Sequence, residues 1–304
     1  MAVTAQMVKE LRENTGSGMM DCKKALVEAD GNIEKATEIL REKGLSKAAK
    51  KADRVAAEGL VKLAFSGDGK KAALVEVNSE TDFVAKNEEF VSFVEKLAEK
   101  AMFAKDDSLE SFLDEEYESE GTVKDALSNK IAKIGENLNI RRFKKLDSPG
   151  VVYTGYVHGG GKIGVIVGIE TEATKDEVAV VGKDVAMQVA SMNPKFLDES
   201  QVDTDYIEKE KEIMTQMVLN EGKNPEMVER IVEGKIKKEL KEVCLVEQKF
   251  VKNSELSVKQ YVETVAKEIG KTMKVAEMIR YEVGEGLEKK NEDFAAEVAA
   301  QLGQ

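Results

Sequence analysis

The residue types that carry out most enzyme chemistry are scarce in this sequence. Its 304 residues include one histidine and two cysteines, and His158 has no second histidine or nearby cysteine with which to form a metal site or a nucleophile-base pair. Segment 158–164, His-Gly-Gly-Gly-Lys-Ile-Gly, suggests a phosphate-binding loop, but it lacks the Gly-x-x-x-x-Gly-Lys-Ser/Thr spacing and joins two predicted strands. A hairpin turn explains it better, with His158 as a simple turn residue or as a contact residue at the tip of a sheet. We expect no catalytic residue, no metal site and no cofactor of the chain's own.

An acid beside an aromatic residue, Asp82 and Phe83, is the second candidate for chemistry. The pair lies in segment 77–90, where a predicted strand ends, a short turn carries Thr-Asp-Phe and an amphipathic helix begins. Phe83 falls outside the apolar stripe of that helix, and the Asp82 carboxylate is a poor neighbour in a core. A loop held by ordered elements on both sides is a typical place from which side chains act on another molecule. We therefore expect this pair to act on something outside the chain.

The elements around this turn form a pattern that occurs twice. Alternating apolar residues predict a hairpin of strands 59–65 and 72–77, followed by a helix with its stripe at 90–101 and a strand at 139–143. Strands at 151–157 and 163–169, a helix with Val178, Val181, Val185, Val189 and Met192 on one face, and a strand at 278–283 repeat the order. Shorter helices are expected at 109–117 and 123–134. The sequence predicts an α+β fold of two related halves, each an antiparallel sheet covered by helices on one face.

Three short helical patterns open the chain and predict a compact module of about 45 residues. They run from Thr4 to residue 16, over residues 19–29, and from the cap Asn32 to a point before Gly44. In the second helix, Met19 and Met20 either fill core space or form an exposed, adaptable edge beside Lys23 for a partner, and the sequence leaves both alternatives open.

Three segments lie outside the repeated pattern. Segment 46–54 is basic and lacks large apolar residues, which predicts a linker or an exposed helical extension with a solvated face. Between about residues 200 and 242, narrow apolar stripes predict an antiparallel helical hairpin that projects from the body, with Ile207, Met214 and Met217 on one arm and Val228, Val232 and Ile236 on the other. Residues 293–300 predict a terminal amphipathic helix.

Composition excludes several classes of protein. A formal net charge of −12 argues against general binding to nucleic-acid backbone. No run is long and apolar enough to span a bilayer, and the N-terminus lacks the pattern of a secretory signal. With reduced thiols as the simplest account of Cys22 and Cys244, we expect a cytoplasmic protein that binds no membrane.

Four segments together resemble one family. They are 11–26 (Leu-Arg-Glu-Asn-Thr-Gly-Ser-Gly-Met-Met-Asp-Cys-Lys-Lys-Ala-Leu), 81–85 (Thr-Asp-Phe-Val-Ala), 134–142 (Ile-Gly-Glu-Asn-Leu-Asn-Ile-Arg-Arg) and 279–286 (Ile-Arg-Tyr-Glu-Val-Gly-Glu-Gly). In this order they are similar to bacterial elongation factor Ts over essentially the full chain. The resemblance implies a ubiquitin-associated-like three-helix domain at 1–46, a linker at 47–57, a core N-subdomain at 58–147, a core C-subdomain at 148–284 with a coiled-coil insertion at about 200–242, and a C-terminal helical module at 285–304.

The resemblance also implies a function. It describes a guanine-nucleotide exchange factor, itself no enzyme, that binds elongation factor Tu with GDP, promotes GDP release and lets GTP bind. In the family, the pair matching Asp82 and Phe83 intrudes beside the partner's nucleotide and magnesium site. The partner-binding residues implied or suggested in this chain are Thr81, Asp82, Phe83, Val84, Met19, Met20, Lys23, Ile134, His158 and Val251.

Two positions depart from the family pattern, and the oligomeric state and one alternative function stay open. Lys162 stands where the family usually has arginine, and Lys249 lies in segment 248–251, which lacks the proline often found before its phenylalanine. The sequence leaves the oligomeric state open, including a dimer of heterodimers. The alternative function is a ribosome- or RNA-binding accessory protein, motivated by the basic segment 47–54, although we expect no direct nucleic-acid contact.

Overall fold

Two three-stranded antiparallel sheets form the centre of the structure, a computed structural model that describes residues 3–15 and 17–287. The first sheet has the order β1 (Glu58–Phe65), β2 (Ala72–Ser79), β3 (Leu138–Leu146), and the second has the order β4 (Val151–His158), β5 (Ile163–Thr171), β8 (Met273–Glu282). A small hairpin of β6 (Lys249–Phe250) and β7 (Asn253–Ser257) lies between β5 and β8 in the chain. Both predicted main hairpins are confirmed, as is the α+β class.

The helices of the described residues fall into four groups. The N-terminal module contains α1 (Ala5–Thr15), α2 (Met19–Glu28) and α3 (Ile33–Ala49). The first half of the body contains α4 (Asp82–Ala85), α5 (Glu88–Ala101), α6 (Leu109–Leu113) and α7 (Val123–Ile134), and the second half contains α8 (Lys175–Met192) and α11 (Val258–Ile269). The projecting hairpin consists of α9 (Thr204–Asn220) and α10 (Pro225–Val243). The predicted helix at 293–300 lies outside the described residues.

Each sheet is covered by helices on one face and by the other sheet on its second face. In β2, Val75 packs with the Phe90 side of α5, while Leu74, one residue earlier, packs toward Ile166 of the second sheet. Every residue of β2 is therefore buried. At Gly164 an added Cβ would lie 2.4 Å from Cγ1 of Val61, so the two sheets approach too closely there for any side chain.

The third helix is longer than the sequence suggested. The expectation that it ends before Gly44 is wrong, because α3 continues to Ala49. Glycine usually weakens a helix interior, and a Cβ at position 44 would lie 3.4 Å from the Asn129 side-chain oxygen of α7. That distance is ordinary van der Waals contact, so the packing itself does not require glycine. The helix continues because Gly44 is buried and Ala48 packs against the core of the first half, which overrides the local stop signal.

An ion pair joins the N-terminal module to the first half of the body. The Arg41 guanidinium of α3 approaches both carboxylate oxygens of buried Asp125 in α7, at 2.8 and 2.9 Å. Asp125 also accepts hydrogen bonds from the backbone N–H and the hydroxyl of Thr122, which caps the same helix. Burial alone raises the pKa of Asp125, but these hydrogen bonds and Arg41 together hold that pKa below its usual value.

We expect this pair to make stability depend on acid pH. A carboxyl group whose pKa is lower in the folded state stabilises the fold above its unfolded pKa, and the contribution is lost as the pH falls through the folded pKa. The free energy of unfolding of wild type should therefore exceed that of Asp125→Asn near neutrality, and the difference should shrink below about pH 4. Urea unfolding of both proteins from pH 7 to pH 3 measures this difference. A gap of constant size throughout would contradict the assignment.

The projecting hairpin has a narrower apolar seam than the body. Val218, Val228, Val232 and Ile236 are buried in it, and Ile207 and Met214 are partly buried against them. The prediction for Met217 is wrong, since its side chain is exposed and its neighbour Val218 takes the seam position. Met192, predicted on the buried face of α8, is also exposed, because it is the last residue of that helix.

A buried charge links the two halves. Glu76 in β2 has no solvent exposure, and its carboxylate is 3.0 Å from Arg141 and 2.6 Å from Arg142 of β3. The same carboxylate accepts a hydrogen bond of 2.8 Å from the Gly284 N–H just after β8. Arg142 in turn contacts Glu285 at 3.0 Å. The network therefore joins both sheets through one carboxylate.

Among the described residues, no helix combines the length and the apolar character needed to cross a membrane.

Candidate partner-binding site

The short turn predicted for Thr-Asp-Phe is a single turn of helix, Asp82–Ala85, that begins after Thr81. Thr81 is the N-cap of α4, with its hydroxyl oxygen 3.4 Å from the Val84 N–H. Two residues after this short helix, the Asn87 side chain caps α5 by accepting hydrogen bonds from two backbone N–H groups. The chain thus folds into two consecutive capped helices, which fixes the direction of the residues between them.

The helical turn separates its side chains into a buried and an exposed set. Val84 is 9% exposed and Ala85 is 5% exposed, and both pack in the core of the first half. Phe83 is 80% exposed, the largest value among the exposed large hydrophobic side chains of the described residues. Val84 therefore anchors the turn, while Phe83 is presented to solvent.

A pair of carboxylates fastens this turn to the junction between α7 and β3. Glu136 accepts hydrogen bonds from the Thr81 N–H at 3.0 Å and from the Thr81 hydroxyl at 2.6 Å. In the opposite direction, Glu80 accepts a 2.5 Å hydrogen bond from the Asn137 N–H. Ile134, two residues before Glu136, is partly buried against the core. We call these four hydrogen-bonding residues, Glu80, Thr81, Glu136 and Asn137, the clamp.

The clamp supports a prediction at Thr81. Replacement by valine keeps the shape but removes both hydroxyl hydrogen bonds, the one that caps α4 and the one donated to Glu136, and should lower the free energy of unfolding by about 1–2 kcal/mol. Thr81→Ser, which keeps the hydroxyl, is the matched control and should remain close to wild type. Chemical denaturation of the three proteins measures the difference. Equal stability of the valine and serine variants would show that the hydroxyl contributes nothing to the clamp.

The Asp82 carboxylate is held in its charged form. Lys86, one helical turn later, lies 2.6 Å from it and is the main cause that lowers the pKa of Asp82. The charge of Lys162 lowers the pKa further. Lys162 is also ion-paired with Glu58 at the start of β1. The exposed Phe83 is therefore accompanied by a permanent negative charge near neutral pH.

The glycine-rich turn after β4 packs against the first sheet. The Gly161 carbonyl accepts a 2.7 Å hydrogen bond from the Val61 N–H of β1. Gly161 has a positive φ of 104°, and a Cβ there would lie 2.6 Å from Leu60, so the position requires glycine. His158 is exposed at the end of β4, with its Nδ1 3.0 Å from the Tyr156 hydroxyl. This turn positions Lys162 so that its charge lowers the pKa of Asp82, and it leaves His158 at a sheet tip.

Of the two alternatives for the methionine pair, the structure excludes core filling and shows an exposed edge. Met19 and Met20 are 58% and 61% exposed, and Lys23 is also exposed, whereas Cys22 of the same helix is fully buried. Residues just before and within α2, among them Gly18 and Asp21, line a cleft together with Ala132 and Lys133 of α7. Met19, Met20 and Lys23 do not line this cleft.

Val251 belongs to a different part of the surface. It is exposed in the turn between β6 and β7, and its N–H donates a 2.8 Å hydrogen bond to the buried Gln188 side chain. The preceding Phe250 is buried and stacks on Tyr261, with ring centroids 4.0 Å apart. This turn is rigidly supported, but it is built by the second half of the body and has no part in the clamp.

Comparison with known proteins places these features in a family. The sequence model of the family described as Elongation factor TS matches residues 80–285, which begin at the clamp. The protein named elongation factor Ts from Clostridioides difficile is 58% identical over 300 residues, and those from Clostridium novyi and Clostridium tetani are 54% and 53% identical; each comparison covers 99% of both chains. The chain belongs to the elongation factor Ts family. As a member of that family, it is a translation elongation factor.

The sequence did not reveal the residues that position Asp82 and Phe83. Glu80 and Glu136 read as ordinary surface acids, and only the folded chain brings them to their partners. Lys86 did carry a signal, because a basic residue four positions after an acid is typical of a helical ion pair. That signal required recognising that the Thr-Asp-Phe segment begins a helix.

Proposed function

We propose that the protein binds elongation factor Tu in its GDP form and accelerates the release of GDP, so that GTP can bind. It makes and breaks no covalent bond in this role and needs no cofactor of its own. The single observation that carries the proposal is the Asp82–Phe83 turn: an aromatic ring 80% exposed beside an ionised carboxylate, on a backbone clamped from both sides. We expect it to act in the cytoplasm, together with its partner.

Phe83 suits the role of an anchor in the partner. An exposed phenylalanine gains nothing from the fold of its own chain, whereas insertion into an apolar pocket removes its ring from water. Aromatic anchors of this kind often contribute about 2 kcal/mol or more to a protein interface. Because Thr81 and Val84 already fix the turn, little conformational entropy remains to be lost when Phe83 binds.

Asp82 suits the role of disturbing the partner's magnesium site. Magnesium in nucleotide sites is held by a few oxygen ligands and by several waters, in a geometry with little tolerance. A carboxylate brought near that shell competes for the ion or its waters. Lys86 and Lys162 lower the pKa of Asp82 and so favour its ionised form. Their positive charges also offset part of the negative charge of Asp82 until the partner's magnesium ion approaches.

The energetics of exchange follow from thermodynamic linkage. If the factor lowers the partner's affinity for GDP, then GDP must lower the partner's affinity for the factor by the same ratio. The factor therefore has to hold the partner through contacts away from the nucleotide. We propose that the edge formed by Met19, Met20 and Lys23 supplies such contacts, together with Ile134, His158 and Val251.

The RNA- or ribosome-binding alternative receives less support. Lys47 is ion-paired with Asp21 at 3.1 Å, the Lys51 ammonium donates to the Gly135 carbonyl at 2.5 Å, and Arg54 contacts Glu80 at 3.4 Å. Three of the basic residues that motivated this alternative are thus engaged within the chain. The protein has a net charge of −12. The remaining basic residues of segment 47–54 would therefore release few counterions from nucleic acid.

Release of a fluorescent GDP analogue from purified elongation factor Tu tests the proposal. Adding wild-type protein should accelerate the loss of fluorescence in proportion to its concentration until the rate saturates. No acceleration at any concentration would overturn the exchange function. Filter binding of RNA at two salt concentrations addresses the alternative, which would be favoured by binding that weakens as salt is raised.

A further inference from the structure

A surface turn of the second half is held by two buried polar side chains of one helix. The turn joins β6 to β7 and consists of Val251, which is 49% exposed, and Lys252; we call these two residues the Val251 turn. The Val251 N–H donates a 2.8 Å hydrogen bond to Gln188. The Lys252 ammonium lies 2.6 Å from the Asp184 carboxylate. Both partners belong to α8 and are four residues apart, so they lie on the same face of that helix.

Gln188 has no solvent exposure, and each polar atom of its side chain has a partner. Its oxygen accepts the Val251 N–H. Its nitrogen donates to the Gln248 side-chain oxygen at 3.0 Å and to the Lys249 carbonyl at 3.1 Å. An amide in an apolar core costs free energy unless its hydrogen bonds are satisfied. A methionine would fill the same space without that requirement, so packing alone does not explain a glutamine here.

The amide of Gln248 extends the same network to the projecting hairpin. Gln248 is 2% exposed, and its side-chain nitrogen donates a 2.6 Å hydrogen bond to the Glu242 carbonyl in the last turn of α10. Its backbone carbonyl accepts a 2.9 Å hydrogen bond from the Val258 N–H at the start of α11. The two glutamines therefore join α8 to the root of the projecting hairpin and to the segment that leads into the Val251 turn.

Asp184 holds the second residue of the Val251 turn and is itself held in place. It is buried, and its other carboxylate oxygen accepts a 2.8 Å hydrogen bond from the Tyr261 hydroxyl of α11. The Tyr261 ring stacks on Phe250, the residue before the turn. Residues 250, 251 and 252 thus each have a support of their own. A turn held in this way loses little conformational entropy when it binds a partner.

We propose that Gln188 and Asp184 are positioning residues for a second contact with elongation factor Tu, which the Val251 turn makes separately from the clamp. This inference rests on the proposed function. The exposed Val251 side chain suits an apolar pocket of the partner, and its backbone is aimed by α8. Gln188 and Asp184 therefore set how tightly the factor binds its partner, whereas Asp82 and Phe83 set how fast GDP leaves the complex.

Release of fluorescent GDP from elongation factor Tu, measured at increasing concentrations of the factor, separates these two roles. Gln188→Met keeps the side-chain volume but removes the hydrogen bonds to the turn. We expect the concentration that gives half of the maximal rate to rise about fivefold, the equivalent of one typical hydrogen bond. The maximal rate should stay at the wild-type value. Val178→Ala, a buried substitution in the first turn of α8, is the matched control and should change neither quantity.

Two further variants keep the test decisive if circular dichroism shows that Gln188→Met folds poorly. Asp184→Asn keeps the shape but removes the charge that holds Lys252, and should raise the half-maximal concentration about twofold. Val251→Ala removes the contact itself. Because Gln188 acts through the turn, adding Gln188→Met to Val251→Ala should raise the half-maximal concentration little beyond the effect of Val251→Ala alone.

The outcomes distinguish this inference from the proposed function. Wild-type half-maximal concentrations for both Gln188→Met and Asp184→Asn would overturn the positioning role and leave the exchange function intact. An effect of Gln188→Met that adds fully to that of Val251→Ala would overturn it as well. A rise of the same size with Val178→Ala would assign the effect to a general loosening of α8 and so contradict the inference. A wild type that does not accelerate release would remove the exchange function and this inference together.

Discussion

Replacing Phe83 by alanine should reduce the efficiency of GDP release from elongation factor Tu by roughly 30-fold or more without lowering stability. The estimate follows from the loss of about 2 kcal/mol or more at an aromatic anchor, where 1.4 kcal/mol corresponds to a factor of ten. Stability should not change because the ring is 80% exposed and contributes little to the core. Stopped-flow release of fluorescent GDP measures the first quantity, and urea unfolding measures the second.

The matched control for Phe83 is Phe103. Its ring is also largely exposed, at 65%, and follows the end of α5, but it lies away from the clamp beside Lys71. Phe103→Ala should release GDP at the wild-type rate. If both alanine variants reduced release equally, an exposed aromatic surface in general, and not the clamped turn, would be responsible.

Replacing Glu76 by glutamine should produce the largest loss of stability among the single substitutions considered. The carboxylate is fully buried between two arginines and the Gly284 N–H. Removing one member of a buried ion pair costs about 3–5 kcal/mol, because the remaining charge is left uncompensated. Arg141 and Arg142 retain some access to water, so we expect a loss of about 3 kcal/mol, near the lower end of that range. Urea unfolding measures it.

Glu95 provides the surface comparison for Glu76. It forms an ion pair of 2.7 Å with Lys62, but its side chain is 53% exposed. Surface pairs usually contribute less than about 1 kcal/mol, so Glu95→Gln should be close to wild type. A loss at Glu76→Gln no larger than that at Glu95→Gln would contradict the view that the buried carboxylate joins the two sheets.

Much of the fold could be predicted from the sequence because the periodicities are regular. Alternation identified both main hairpins, and the cap Asn32 marked a helix start that the structure confirms. The errors arose where tertiary contacts determine the end of a helix or the residue that is buried. Gly44 is typical of a helix end, yet it is buried in the interior of α3, which packs against the first half of the body. At Met217 the stripe is offset by one residue, which the sequence cannot distinguish when Met217 and Val218 are adjacent apolar residues.

The site was only partly predictable for the same reason. The exposed acid and aromatic could be found because Asp82 and Phe83 fit neither the preceding strand nor the following helix. Their support could not be found, since the Thr81–Glu136 hydrogen bonds join residues 55 positions apart. The face-to-face packing of the two sheets was likewise hidden, and with it the effect of the Lys162 charge, in the second half, on the pKa of Asp82 in the first.

The most direct test of the central claim separates binding from exchange in one experiment. Saturating amounts of wild type and of the double variant Asp82→Ala plus Phe83→Ala are mixed with elongation factor Tu that carries fluorescent GDP, and complex formation is measured in parallel. We predict that the wild type accelerates release strongly, while the double variant still forms a complex but releases GDP at nearly the intrinsic rate. A normal release rate with the double variant would contradict the role of the clamped turn.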